Sequence, residues 1–187
     1  SNLGNIFREL GDFDKAVMSY NKALTIKPDY TQAHSNLGVV FKDLGQIDQA
    51  LASFNKAIVI KPDLAEVHND IGIIHLQLDK PYEAVASFSK AIAIKSDYDE
   101  AYTNLSKTKS YRLKHLFQQN EQSLFCDELD NLIRVGEINP IIGSLVSRSE
   151  IRYKTNHPNP FCKDPLKYVL QTDLIEQCDF ENIFVKT

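Results

Sequence analysis

Ile26-Lys27-Pro28-Asp29-Tyr30 returns as Ile60-Lys61-Pro62-Asp63-Leu64 and again as Ile94-Lys95-Ser96-Asp97-Tyr98. Both steps are 34 residues. A period of this length marks a supersecondary unit that stacks on copies of itself. Outward from this stretch the same step holds at other positions. Leu3-Gly4, Leu37-Gly38 and Ile71-Gly72 align, and the series degrades at Leu105-Ser106. Ala16, Ala50 and Ala84 align, as do Tyr20, Phe54 and Phe88, and then Ala23, Ala57 and Ala91.

Each period reads as two antiparallel helices. His34, Leu37, Gly38 and Phe41 share one face of the first helix, and Ala50, Phe54, Ala57 and Ile58 form the answering stripe of the second. Gly38 has no side chain, so the partner helix approaches closely. Gly45 suits the left-handed end of the first helix, and Asp48 favours the dipole of the second. Lys61-Pro62-Asp63 stops the second helix, with Asp63 expected to cap the next one. One such hairpin cannot cover its own apolar face, so the units stack.

This pattern resembles the tetratricopeptide repeat family. The second repeat supplies His34, Leu37, Gly38, Phe41, Ala50, Phe54, Ala57 and Pro62 at the family's positions. The third supplies His68, Ile71, Gly72, His75, Ala84, Phe88 and Ala91, with Ser96 in place of Pro. The first supplies Leu3, Gly4, Phe7, Ala16, Tyr20, Ala23 and Pro28. The resemblance implies an all-α, right-handed superhelix of about three helix-turn-helix repeats with additional C-terminal helices. It covers residues 1–111: a partial repeat at 1–30, full repeats at 31–64 and 65–98, and a closing helix at 99–119 that begins as a fourth. The first repeat starts in mid-helix without an initiator Met, so the chain is expected to be a piece of a longer protein.

The resemblance also implies a concave face lined by the first helices of each pair. Its expected peptide-binding groove holds Asn2, Asn5, Asn36, Asp43, Asp70, Gln77, Asn104, Lys107 and Tyr111. The sixth position of successive repeats is Asn2, Asn36, Asp70 and Asn104. A carboxamide carries both donor and acceptor, matching a peptide main chain. The row is similar to the asparagine ladder in the repeat domain of O-linked N-acetylglucosamine transferases, and Asp70 interrupts it. A second family mode clamps a partner's terminal carboxylates with Lys, Arg and Asn. Asn5 and Asn36 fit that clamp, whereas Ser1, Glu66 and Asp70 stand where cations belong, and like charge disfavours it.

Composition narrows the function further. The chain has 187 residues, with 21 Lys and Arg against 25 Asp and Glu. Residues 1–110 hold 12 basic and 14 acidic side chains and residues 111–187 hold 9 and 11, so neither part carries a basic surface for nucleic acid. There is no apolar run of membrane-spanning length and no leader pattern. Three cysteines, Cys126, Cys162 and Cys178, make no disulfide framework, and a cytoplasmic location is expected.

His34 and His68 fall at a packing position and His75 at the aromatic one, and none has metal-ligand spacing to other residues. His157 and Cys162 flank two prolines without a third group to orient them. No catalytic residue, metal site or cofactor is expected, and the chain itself is not expected to be an enzyme.

The last third departs from the repeat. Asp99 to about Gln119 reads as one helix, Glu121–Glu137 as a second, and Pro140 opens a third through Ile151. Residues 112–154 are expected to form a helical cap, and residues 155–187 a linker or strap with a loop at 155–165 and a short helix at 166–174. The run Asn159-Pro160-Phe161-Cys162, with Asp164-Pro165-Leu166-Lys167-Tyr168-Val169, is similar to a segment that precedes an iron(II)/2-oxoglutarate oxygenase domain in some bacterial proteins.

The expected function is a protein–protein interaction scaffold that binds an extended peptide or protein segment on the concave face. The alternative is an accessory substrate-recruiting region of a larger enzyme, glycosyltransferase-like or an iron(II)/2-oxoglutarate oxygenase, whose catalytic domain lies outside this chain. A homo-oligomer through the exposed first repeat is a further expectation for its partners.

Overall fold

A computed structural model describes residues 2–136 and 140–154. The loop expected at 155–165, the helix at 166–174, and His157, Cys162 and Cys178 lie outside the described residues. The described residues form α1 (Asn2–Glu9), α2 (Phe13–Ile26), α3 (Thr31–Asp43), α4 (Ile47–Ile60), α5 (Ala65–Gln77), α6 (Pro81–Ile94), α7 (Asp99–Gln118), α8 (Gln122–Arg134) and α9 (Pro140–Tyr153). Among the described residues there is no strand. The chain divides into two compact units, one ending at Thr108 and the other starting at Lys109, so the division falls within α7.

In the first unit α1–α2, α3–α4 and α5–α6 are hairpins. Each turn between first and second helix closes with the same pair of backbone bonds. In the second hairpin the Gln46 N–H donates to the Phe41 carbonyl at 2.8 Å and the Gly45 N–H to the Lys42 carbonyl at 3.0 Å. This turn needs a left-handed residue, and Gly45 supplies it with φ +70°. The third hairpin makes the same bonds through Asp79 at φ +55°.

The second helices stop where the Lys-Pro-Asp stretch begins. α4 ends at Ile60, and Lys61 is extended. Asp63 does not cap α5 as expected: the N-cap is Leu64, without a side-chain cap bond. The difference is one position. Asp12 stands directly before Phe13, and its carboxylate accepts the Lys15 N–H at 3.2 Å.

Packing follows the repeat. Tyr20, Phe54 and Phe88 are fully buried, each worth about 1.5–3 kcal/mol as apolar area withdrawn from water. Ala16 and Tyr20 of α2 pack with Leu37 and Val40 of α3. Ala50 and Phe54 of α4 pack with Ile71 and Ile74 of α5. A second helix therefore joins two successive first helices, and the core runs along the stack.

The second unit has its own core: Leu113 and Leu116 from α7, Phe125, Leu129 and Leu132 from α8, and Ile142, Leu145 and Val146 from α9. Phe117, Phe125 and Tyr153 cluster with ring centroids 5.4–5.8 Å apart. The Arg152 guanidinium covers the Phe117 ring and donates to the Phe117 carbonyl at 2.7 Å. Arg112 and Glu128 form a half-buried pair, with Nε donating at 2.6 Å. α8 stops at Arg134, short of the expected Glu137, because Gly136 turns left-handed at φ +74° and its N–H bonds the Ile133 carbonyl at 3.1 Å.

Candidate functional site

The 34-residue step puts the sixth-position residues on one face of the first helices, and three of the four reach back to the preceding first helix. Asn36 of α3 donates through Nδ2 to Asn5 Oδ1 of α1 at 2.7 Å. The Tyr20 hydroxyl donates to the same Asn5 oxygen at 2.7 Å, and Gln32 Nε2 donates to Asn36 Oδ1 at 2.9 Å. Asp70 of α5 pairs with Lys42 of α3. Asn104 of α7 donates to Asn69 Oδ1 of α5 at 3.0 Å, and Asn69 Nδ2 donates to Glu100 Oε1 at 3.2 Å.

These links tie successive first helices together. Asn36 is 7% exposed and Asn69 is 2% exposed, so a ligand would meet their surroundings before their amides. Asn2, Asp43, Gln77 and Lys107 are exposed on the first helices, and Asn5, Asp70 and Asn104 are half-buried. Tyr111 belongs to the second unit, where it stacks on His115 at 6.3 Å. The pattern of polar residues along the first helices was readable in the sequence. Lys42 and Asn69 were not assigned to this face by sequence reasoning. Their partners lie 28 and 35 residues away, so the 34-residue alignment does not superpose them.

The electrostatics of this face are acidic. Burial holds the Asp70 carboxyl above the usual carboxylate range; Lys42 works against burial, while Glu100 and Asp43 add to it. The Tyr98 phenol is pushed up to about 12, first by burial and then by Glu100, Asp70 and Glu66. Lys95 stands over the Tyr98 ring, 5.1 Å from its centroid, and lies 4.0 Å from Glu66.

The histidines belong to the packing. His34 and His68 are buried, and their Nε2 atoms lie 2.9 and 3.0 Å from the carbonyls of Pro28 and Pro62. A carbonyl only accepts, so Nε2 carries the proton in both rings. Burial lowers the pKa of His68. His75 Nδ1 contacts the Ser87 hydroxyl at 3.2 Å. Burial, with Asp130 and Asp127 behind it, raises the Cys126 thiol, which keeps it protonated and a weak nucleophile. Among the described residues no three of His, Cys, Asp and Glu gather as metal ligands, and no helix is long and apolar enough to cross a membrane. A cleft of about 850 Å³ lies away from the polar face, between α2 and α4, lined by Leu24, Pro28, His34, Asn55 and Val59.

Two family models match the chain: one described as TPR repeat over residues 4–45 and 40–79, and one described as tetratricopeptide repeat over residues 65–98. No curated protein matches it. Among solved structures it is similar to MamA, with 20% identity, 98% of this chain and 92% of that chain covered, and a TM-score of 0.59. It is similar to the first TPR of Spaghetti (RPAP3) bound to the HSP90 peptide SRMEEVD, at 20% identity, covering 58% of this chain and 86% of that one, with a TM-score of 0.56. A Thermobaculum terrenum O-GlcNAc transferase mutant matches at 18% identity over 81% of this chain but 25% of that one, with a TM-score of 0.57. At such identities the likeness is one of fold, the all-α repeat superhelix. With family models matched from residue 4 to residue 98 and the helix pairs in their register, the chain belongs to the tetratricopeptide repeat family.

Proposed function

We propose that the first unit is a protein-interaction scaffold that holds an extended peptide or protein segment against the polar face of α1, α3, α5 and the start of α7. The observation that carries this reading is the relay of side-chain bonds from one first helix to the next. It spaces the exposed Asn2, Asp43, Gln77 and Lys107 on a stack that loses little order on binding, and preorganisation lowers the cost of association. That the first TPR of Spaghetti (RPAP3) is bound to an HSP90 peptide, and the second TPR domain of human RPAP3 is in complex with an HSP70 peptide, supports peptide binding by this fold.

The partner segment differs in charge from those peptides. SRMEEVD and SGPTIEEVD end in acids, and here Glu66, Asp70 and Glu100 occupy the face, so an acidic C-terminus is repelled. A displayed library of unstructured peptides, selected on the whole chain, supplies the probe. Titration calorimetry of the selected peptide then compares Gln77→Ala and Lys107→Ala with Asn55→Ala, which lies in the cleft between α2 and α4. Loss confined to the first-helix variants supports the reading. Equal binding in all, or loss only in Asn55→Ala, refutes it.

A further inference from the structure

The cleft between α2 and α4 has apolar walls and a basic rim. Leu24 and Pro28 come from α2 and the turn after it, and Val59 and Ile60 from α4. Val59 is 82% and Ile60 40% exposed, so both are open to an occupant. At Asp29, which lines both hollows, the cleft meets a smaller recess of about 240 Å³ lined by Lys27, Tyr30, Gln32 and Lys61. Lys56 lines the cleft itself. Among the described residues none of these three lysines pairs with a carboxylate. Three lysines thus stand against one aspartate, on a unit whose polar face is acidic.

The next repeat shows what chemistry suits the recess. Gln32 corresponds to Glu66, and Lys61 to Lys95. Glu66 lies 4.0 Å from Lys95, so there the chain supplies its own carboxylate. In the recess of Lys61 it supplies an amide instead, and Gln32 already donates to Asn36 at 2.9 Å. The walls are fixed in advance. The Tyr30 N–H donates to the Lys27 carbonyl at 3.1 Å, and His34 Nε2 donates to the Pro28 carbonyl at 2.9 Å. Preformed walls lower the cost of binding. Asn21 and Asn55, exposed on α2 and α4, also line the cleft, and a carboxamide offers donor and acceptor to a peptide main chain.

We propose that the cleft and recess form a second binding site, for a peptide segment in which an aliphatic side chain lies close in sequence to an Asp or Glu. The aliphatic group buries against Leu24, Val59 and Ile60, the carboxylate lies between Lys27 and Lys61, and Asn21 and Asn55 hold the main chain. Charge complementarity separates this site from the polar face of the first helices, where Glu66, Asp70 and Glu100 repel the same segment. The site stands independently of the polar-face reading. A fatty acid offers the same aliphatic body and carboxylate but no amide for the two asparagines.

The probes are short end-blocked peptides of Gly and Ser carrying one Leu and one Asp at varied separation, titrated into the whole chain and followed by methyl NMR. At least one probe is expected to bind and to shift the methyl resonances of Leu24, Val59 and Ile60. Replacing its Asp by Asn is expected to weaken binding about tenfold, and Lys61→Gln about threefold. Gln32→Glu, which puts the chain's own carboxylate where the next repeat has one, is also expected to weaken it about tenfold. Gln77→Ala, on the polar face, is expected to bind the probe as the native chain does. Absence of binding by every probe, equal binding of the Asn form, or shifts confined to α1, α3 and α5 would overturn the proposal. So would displacement by octanoate as readily as by a second peptide, because the occupant is then a fatty acid.

Discussion

The Phe54 ring lies against Gly38 with no room for a methyl group between them: a Cβ on residue 38 would stand 2.5 Å from the ring's Cδ1. The same relationship joins Gly4 to Tyr20 and Gly72 to Phe88, and it sets how closely the two helices of a pair approach. Gly38→Ala is therefore expected to lower stability by about 1–3 kcal/mol, since a fully buried ring on a packed helix cannot yield cheaply. Urea denaturation measures this. A loss below about 0.5 kcal/mol would mean the helices separate without cost.

Asp79 adopts φ +55° at the position where Gly45 and Gly11 adopt +70° and +75°. A side chain in the left-handed region carries a steric cost that Gly avoids. Gly45→Ala, which puts a Cβ on the same left-handed position, is therefore expected to destabilise the chain by about 1 kcal/mol, read from the shift in urea midpoint. An unchanged midpoint would show that the turn accepts a side chain without cost.

Lys42 and Asp70 join successive first helices at a half-buried position. Removing Lys42 leaves the carboxylate without its cation, and Lys42→Met is expected to cost about 1–3 kcal/mol at pH 7. The sign with pH follows from the raised Asp70 pKa: the folded state holds this proton more tightly, so ionisation of Asp70 costs stability as pH rises above the ordinary carboxylate value. The deficit of Lys42→Met should therefore shrink as pH falls toward 4, and Asp70→Leu added to Lys42→Met should recover most of it. Stability curves of the two variants across pH check both statements.

His68 is held neutral in the fold by burial, and its pKa lies below the ordinary value near 6.5. The unfolded chain binds this proton first as pH falls, so the histidine's contribution to stability is present above pH 6.5 and is lost below it. His68→Phe is expected to flatten the decline in melting temperature between pH 7 and 5. An unchanged slope would show that His68 accepts its proton in place.

The helix pairs were legible because the 34-residue step superposes Gly on Gly and ring on ring, and each superposed position does the same packing job in every copy. Three features escaped that reading for separate reasons. Asp63 stands one residue before the N-cap, a difference no alignment of repeats records. The early stop of α8 rests on a single glycine, Gly136, outside the repeat. The Lys42–Asp70 and Asn69–Asn104 links join positions that are not equivalent in the two repeats, so they become visible only when the first helices lie side by side. The polar stripe itself was readable from spacing. That Asn36 spends its amide on Asn5 and Gln32 was not, because either role suits an asparagine there.

Amide hydrogen exchange of the whole chain, with and without a library-selected peptide at saturation, tests the scaffold function most directly. Protection confined to α1, α3, α5 and the start of α7, and lost in Gln77→Ala with Lys107→Ala, is the expected result. Protection centred on the cleft between α2 and α4, or none in the first unit, would contradict binding along the first helices.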